Sequence, residues 1–253
     1  MTNKTTIALI TGASSGIGMA TAKAFAAAGI ELIICGRRKD KLEALQQELS
    51  GFVKVYILVF DVRNNKDVLT AIDGLPAEWK AIDILVNSAG NAHGLSAIQD
   101  GDIADWDMMI DANVQGLLYV SKAIMAGMVE RQSGHIVNIS SVAGKYTYAN
   151  GAVYCASKKA VEAISEGMRL DLTQHGIRVT NIAPGAVETD FSVVRFKGDK
   201  ERAAKVYEGF TPLTPEDIAD TILYAVKAPK HVTIADVTIY ASAQSAPSTI
   251  YRK

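Results

Sequence analysis

Thr11-Gly12-Ala13-Ser14-Ser15-Gly16-Ile17-Gly18 is the stretch that decides the fold. It follows a short apolar run, Ile7 to Ile10, and opens an alanine-rich segment of helical period, Met19 to Ala28. A strand, a glycine turn and a helix in that order form a binding place for an anion. Gly12 permits the sharp turn, Gly16 lets backbone approach a pyrophosphate, Gly18 allows close helix packing, and the helix N-terminus faces the charge. The spacing is Gly-x-x-x-Gly-x-Gly rather than Gly-x-Gly-x-x-Gly, so context carries the inference more than the motif does. Gly12, Ser14, Ser15, Gly16, Ile17 and Gly18 are therefore candidates for holding a dinucleotide.

Outward from this turn, short β-branched runs alternate with longer helical patterns. Strands are expected near Ile7 to Ile10, Glu31 to Cys35, Val53 to Phe60, Ile82 to Asn87, His135 to Ser140, Arg178 to Ala183 and Val232 to Tyr240. Their centres are apolar without alternation, as parallel strands covered on both faces require. The expected fold is an α/β, Rossmann-type doubly wound sheet of about seven parallel strands with helices on both faces, one domain over residues 1–253. Asp40 and Glu43 read as a capping box before Leu42, and Pro215, Glu216 and Asp217 as a helix start. Only Phe191 to Thr214 breaks the rhythm, a charged excursion expected to cover the site at about 191–214.

The second strand ends in Gly36-Arg37-Arg38-Lys39, with no carboxylate for the ribose hydroxyls of NAD. Arg37 and Arg38 suit a 2′-phosphate, which favours NADP over NAD; the alternative is a solvated basic cluster at a helix start. Asp61 and Val62, ending the third strand, are candidates for the adenine edge, or a turn aspartate and its neighbour.

Composition excludes other classes. Of 253 residues, 49% are apolar and 21% charged, with 26 basic against 27 acidic side chains and a net charge of −1. No basic stripe offers itself to nucleic acid. The apolar runs fall short of the roughly 20 residues of a spanning helix, so no membrane association is expected. Cys35 and Cys155 lack metal-ligand spacing and read as unpaired thiols of a cytoplasmic protein.

Tyr154-Cys155-Ala156-Ser157-Lys158 sets a phenol and an ammonium one helical turn apart. Asn138-Ile139-Ser140-Ser141 ends the preceding strand, where ligands sit in open α/β sheets, and Ser141 could reach the phenol. Asn113 falls inside the apolar stripe Trp106, Ile110, Leu117, Val120 and Ile124, as a core amide that needs partners. Together with Asn87-Ser88-Ala89-Gly90 and Pro184-Gly185, these features resemble, in order and over almost the whole chain, the short-chain dehydrogenase/reductase family. One departure is Ser88, where the family usually has asparagine.

The resemblance implies a hydride-transfer enzyme. Tyr154 would be general acid/base and Lys158 both ribose ligand and the charge that favours the phenolate. Ser141 would donate to the substrate oxygen, and Asn113 would hold a water linking Lys158 to solvent. Asn87, Ala89, Gly90, Pro184, Gly185, Val187 and Thr189 would line the cofactor with the glycine turn, Arg37, Arg38, Asp61 and Val62. Ser140 sits one residue too early for the catalytic spacing. The segment from Gly185 to Asp199 and the end from Ala243 to Arg252 are similar to the NADP-dependent 3-hydroxy acid dehydrogenases, also called serine or L-allo-threonine dehydrogenases. That subgroup would oxidise the β-hydroxyl of a small 3-hydroxy acid, with Arg195 and Lys197 as candidate carboxylate anchors and His93 as a candidate lining residue. The alternatives are a carbonyl reductase for a β-ketoacyl, sugar or xenobiotic ketone, and a non-catalytic NADP sensor, which the intact tetrad disfavours. The resemblance also implies a homotetramer, with the tail after Tyr240 packed on a neighbouring subunit.

Overall fold

The computed structural model describes residues 5–253. Seven strands, β1 (Ile7–Thr11), β2 (Glu31–Gly36), β3 (Val55–Val59), β4 (Ile84–Asn87), β5 (Gly134–Ile139), β6 (Ile177–Pro184) and β7 (Asp236–Ile239), form one sheet in the order β3-β2-β1-β4-β5-β6-β7. Every pairing is parallel. The chain builds outward from β1 to β3 and then returns to start β4 on the other side of β1. The crevice at the carboxyl ends of β1 and β4 is thus the topological switch point, where ligands bind in such sheets.

Period-two alternation divides the core between the two faces. Leu9, Ile33, Leu85 and Ile136 join one cluster with Leu117, Val120 and Ile124 of α5 (Gly116–Glu130) and with Val161 and Met168 of α7 (Ala152–Leu172). Ile10, Leu32, Ile34 and Val86 join the other with Phe25 of α1 (Gly16–Ala27), Leu42 and Leu45 of α2 (Lys39–Leu49), and Ile218 and Ile222 of α10 (Pro215–Lys227). Both faces are covered, so β1, β2 and β4 carry apolar residues at their centres, while buried Asn138 of β5 and Thr180 and Asn181 of β6 are hydrogen-bonded. Full burial of a side chain such as Phe25 contributes about 1.5–3 kcal/mol.

Several expectations change at their edges. α2 is capped by Arg38, with no side-chain bond, and Asp40 lies inside the first turn; the helix starts two residues earlier than the Asp40 box requires. At α10 the box is real but begins one residue before Pro215: Thr214 accepts from Asp217 N, and Asp217 accepts from Thr214 N at 2.7 Å. The expected seventh strand shortens to Asp236–Ile239, an edge whose partner β6 offers only four pairing residues. The stripe around Asn113 is not one regular helix. A π-helical turn, Asp111–Gln115, separates α4 (Ile103–Ile110) from α5 and carries Asn113.

Beyond β6, the excursion contains α8 (Phe191–Arg195) and α9 (Lys200–Lys205). After Tyr240 the chain forms an unanticipated hairpin, β8 (Gln244–Ala246) with β9 (Thr249–Ile250). Just beyond the hairpin, Arg252 donates to Val206 O at 3.0 Å and to Glu208 O, behind α9.

Candidate active site

The glycine turn is built as its composition requires. Gly12 and Gly16 adopt φ of +68° and +52°, which other residues rarely sustain, and a Cβ on Gly12 would lie 2.9 Å from the Ala89 backbone. That close approach is held by Thr11, whose Oγ1 accepts from Ser88 N and Ala89 N at 3.1 and 3.0 Å. Asn87 donates to Ser121 Oγ and Asn138 Oδ1, both at 2.9 Å, so it ties β4 to β5 beneath the cleft. Thr189 Cγ2 lies 3.4 Å from where a Gly16 Cβ would stand, so the segment after Pro184 and Gly185 reaches over the turn. Val187 O in that segment accepts from Tyr207 at 2.9 Å.

The start of α1 suits an anion. It has no side-chain cap and no acidic residue in its first turn, so its orphan N–H groups at Gly16, Ile17 and Gly18 are available. Arg38 lies over this turn, donating to Ser14 Oγ at 2.9 Å and Ser15 Oγ at 2.7 Å. Arg37 is exposed, 3.6 Å from Asp61 Oδ2. Asp61 is gripped by Arg63, a residue without an obvious sequence signal, through bonds of 2.6–3.1 Å. Burial raises the Asp61 carboxyl, but the Arg63 bonds and the charges of Arg63 and Arg37 outweigh it and hold it below the usual range. Val62 follows beside Gly116, where a Cβ would come within 2.7 Å of its Cγ2. The residues present thus fit a phosphorylated dinucleotide.

On the other side of the cleft, Ser141 caps the short α6 (Val142–Lys145), its Oγ accepting from Ala143 N at 3.1 Å. Tyr154 and Lys158 rise from the first turns of α7, 8% and 6% exposed. Lys158 Nζ donates to Ile139 O at 3.0 Å and stands 3.4 Å from the position a Gly90 Cβ would take. Asn113 Oδ1 lies 2.9 Å from that same position, so Gly90 separates the amide from the ammonium. Asn113 accepts from Asn91 N at 2.8 Å and donates to Asn91 O and Ser157 Oγ at 2.9 and 3.0 Å. The tetrad is therefore brought together. Ser140 instead donates to Lys158 O at 3.2 Å, a packing role for α7.

Burial pushes the Tyr154 phenol up to about 12, and the opposing influences are the charge of Arg195 and hydrogen bonding with Ser141. Lys158, one turn further along α7, directs its ammonium to the Ile139 carbonyl. Burial pushes Lys158 itself down to about 8, against the charge of Glu162.

Arg195 lies with its guanidinium carbon 4.7 Å from the Tyr154 ring centroid and 5.1 Å from that of Phe191. It donates to Tyr148 Oη at 3.0 Å, while its Nε is buried without a hydrogen-bond partner among the described residues. His93, Trp106, Met109, Asn150 and Tyr154 line the cavity beside it. Lys197, the other expected anchor, is committed elsewhere: it pairs with Asp105 at 3.0 Å and Asp102 at 3.3 Å. Tyr148 escaped the sequence reading; Gly151 marks it, since a Cβ there would meet the Tyr148 ring at 2.1 Å. Cys35 and Cys155 are buried free thiols. Among the described residues no cluster has metal-ligand character, and no helix is long and apolar enough to cross a membrane.

A sequence profile of the short chain dehydrogenase family matches residues 6–200. The chain belongs to that family. Among relatives of this short-chain dehydrogenase, the NADP-dependent 3-hydroxy acid dehydrogenase YdfG of Salmonella typhi is 45% identical over 240 residues, 94% of this chain and 96% of that one. Sulfoacetaldehyde reductase 2 of Chromohalobacter salexigens is 43% identical over 240 residues, 94% and 95% of the two chains. The closed form of a serine dehydrogenase complexed with NADP⁺ superposes with a TM-score of 0.93 at 42% identity, covering 98% of this chain and 100% of that one.

Proposed function

We propose that this oxidoreductase is NADP-dependent and interconverts a small 3-hydroxy acid and its 3-oxo acid, with the substrate carboxylate on Arg195. The observation that carries the reading is the buried, unpartnered Nε of Arg195, set against the ring of the acid/base phenol. A buried guanidinium N–H without a partner calls for an acceptor, and a carboxylate is the acceptor that suits a guanidinium's charge and planar donors. Arg37 and Arg38, with no carboxylate at the end of β2, support the phosphorylated cofactor.

Pro184, Gly185 and Thr189, beside the glycine turn, would hold a nicotinamide, which when bound would supply or accept the hydride. In reduction, Tyr154 delivers its proton to the carbonyl oxygen and Ser141 donates a hydrogen bond to the same oxygen as charge develops. Lys158 re-protonates the phenol, and Asn113 fixes the loop at Gly90 and Asn91 against α7. Arg195 both anchors the substrate and, through its charge on Tyr154, eases the phenolate of the oxidative direction. The segment 191–214 acts as a lid, its position tied to α4 by Lys197. The reading includes a homotetramer in the cytoplasm, with exposed Leu118 on α5 and Leu170 on α7 as candidate contact residues.

The test is NADP⁺ and NAD⁺ reduction over serine and threonine stereoisomers, 3-hydroxypropionate, 3-hydroxyisobutyrate and 2-hydroxyethanesulfonate. Turnover of the carboxylates with NADP⁺, reduced about 10²–10⁴-fold in Tyr154→Phe with NADPH affinity kept, is expected. Turnover confined to uncharged alcohols would discard the carboxylate reading.

A further inference from the structure

One turn beyond Lys158 on α7, Glu162 belongs to a charge cluster that the reaction so far leaves unused. Lys145 Nζ, at the end of α6, is hydrogen-bonded to Glu162 Oε2 and, at 2.6 Å, to Asp236 Oδ2 at the start of β7. Asn181 of β6 donates to that same Oδ2 at 2.8 Å. One ammonium faces two carboxylates, so the cluster is net negative. Glu162 Oε1 is buried with no hydrogen-bond partner among the described residues, and the Glu162 side chain is only 14% exposed. Lys158, meanwhile, is a buried ammonium whose bond goes to a neutral carbonyl. Desolvation disfavours such a charge, and an anion at i+4 on the same helix face offsets that penalty.

We propose that Glu162 is a positioning residue for the reaction: held by Lys145, its carboxylate supplies the negative charge that keeps Lys158 an ammonium. The same clamp draws α6, and with it Ser141, onto α7; α6 and α7 touch so closely that a Cβ on Gly144 would lie 2.8 Å from Lys158 O. The inference rests on Tyr154 and Lys158 carrying the reaction. The other charged and titratable groups around the pair are Asp236 on β7, Tyr154 on α7 and, across the Tyr154 ring, Arg195 on α8. Arg169 of α7, bound to Ala235 O at 3.2 Å, stands near Asp236.

The sign is fixed by electrostatics. Removing the Glu162 charge lowers the titration of both Lys158 and Tyr154; removing Lys145 exposes both carboxylates and raises it. Reduction needs both protons in place, so turnover falls as pH rises through this coupled titration. In Glu162→Gln the falling limb is expected to move down by about one pH unit, and in Lys145→Met to move up. The pH dependence of NADPH affinity, read from nicotinamide fluorescence without turnover, moves in the same two directions. Asp236→Asn, at a site 38% exposed, gives a smaller shift in the sense of Glu162→Gln and serves if that variant fails to fold. Limbs that stay in place, or that move the same way in Glu162→Gln and Lys145→Met, overturn the proposal as mere packing. Full turnover in Lys158→Met would instead overturn the reading of the site itself.

Discussion

The two sides of the cleft are built by different means. The dinucleotide side is mostly backbone, with Gly12 and Gly16 in left-handed conformations and α1 uncapped, and Arg38 reaches Ser14 across only 24 residues. The substrate side is side chains brought from afar, with Arg195 on Tyr148 across 47 residues and Lys197 on Asp102 across 95. Local backbone geometry demands glycine at fixed offsets and so writes a motif. Long-range side-chain contacts demand only that partners be complementary, which leaves no fixed spacing. On the proposed reading the first side is the common equipment of a hydride-transfer fold, and the second is where substrates would be told apart.

Arg195→Met should separate the two sides most strongly. Losing a charge-assisted, two-point contact to an anion in a dry site costs about 3 kcal/mol, so kcat/KM for a 3-hydroxy acid should fall about 10²-fold. NADPH affinity, measured by fluorescence titration, should stay the same. Arg195→Lys should recover little, because an ammonium lacks the planar fork. A parallel loss of NADPH affinity would mean that the sides are not independent.

Arg38→Gln should give the smaller, mirror-image effect. Its contacts to Ser14 and Ser15 lie at the surface, so about a tenfold weakening of NADPH binding is expected, with NADH binding unchanged and substrate KM unmoved. Equal weakening of both nucleotides would show that Arg38 serves the turn and not the 2′-phosphate.

The same contrast explains what the sequence could disclose. The doubly wound parallel sheet follows from a glycine turn and apolar runs, whereas the tetrad was legible only through the family resemblance that its residues carry together. Asn113 was visible as a polar residue in an apolar stripe, but the π turn that carries it was not, because a bulge adds a residue without altering composition. Arg195 and Lys197 looked alike in a charged segment. Only the fold reveals that Asp102 and Asp105 occupy Lys197 while Arg195 keeps an unsatisfied Nε. Arg63 and Glu162 carry their roles through charged partners, and no period or spacing marks them; Tyr148 is marked only by Gly151, which its ring requires to be small.

The tail offers the finest cut between the two sides, because it touches both. Gln244 Oε1 accepts from Ala186 N at 2.9 Å, beside the cofactor segment, whereas Arg252 binds the carbonyls of Val206 and Glu208 and lies 5.2 Å from the Phe210 ring, behind the lid. These Arg252 contacts are exposed and worth about 0.5–1 kcal/mol together, so their loss should loosen the lid rather than unfold it. In Arg252→Ala the substrate KM is expected to rise roughly threefold, with NADPH affinity and the light-scattering mass unchanged. A fall in mass would place the tail's main contact on a neighbouring subunit, as the subgroup resemblance first implied. A loss confined to NADPH affinity would show instead that the tail acts through Gln244 and Gly185, where a Cβ would meet Gln244 Oε1 at 2.3 Å, and that the lid closes without it.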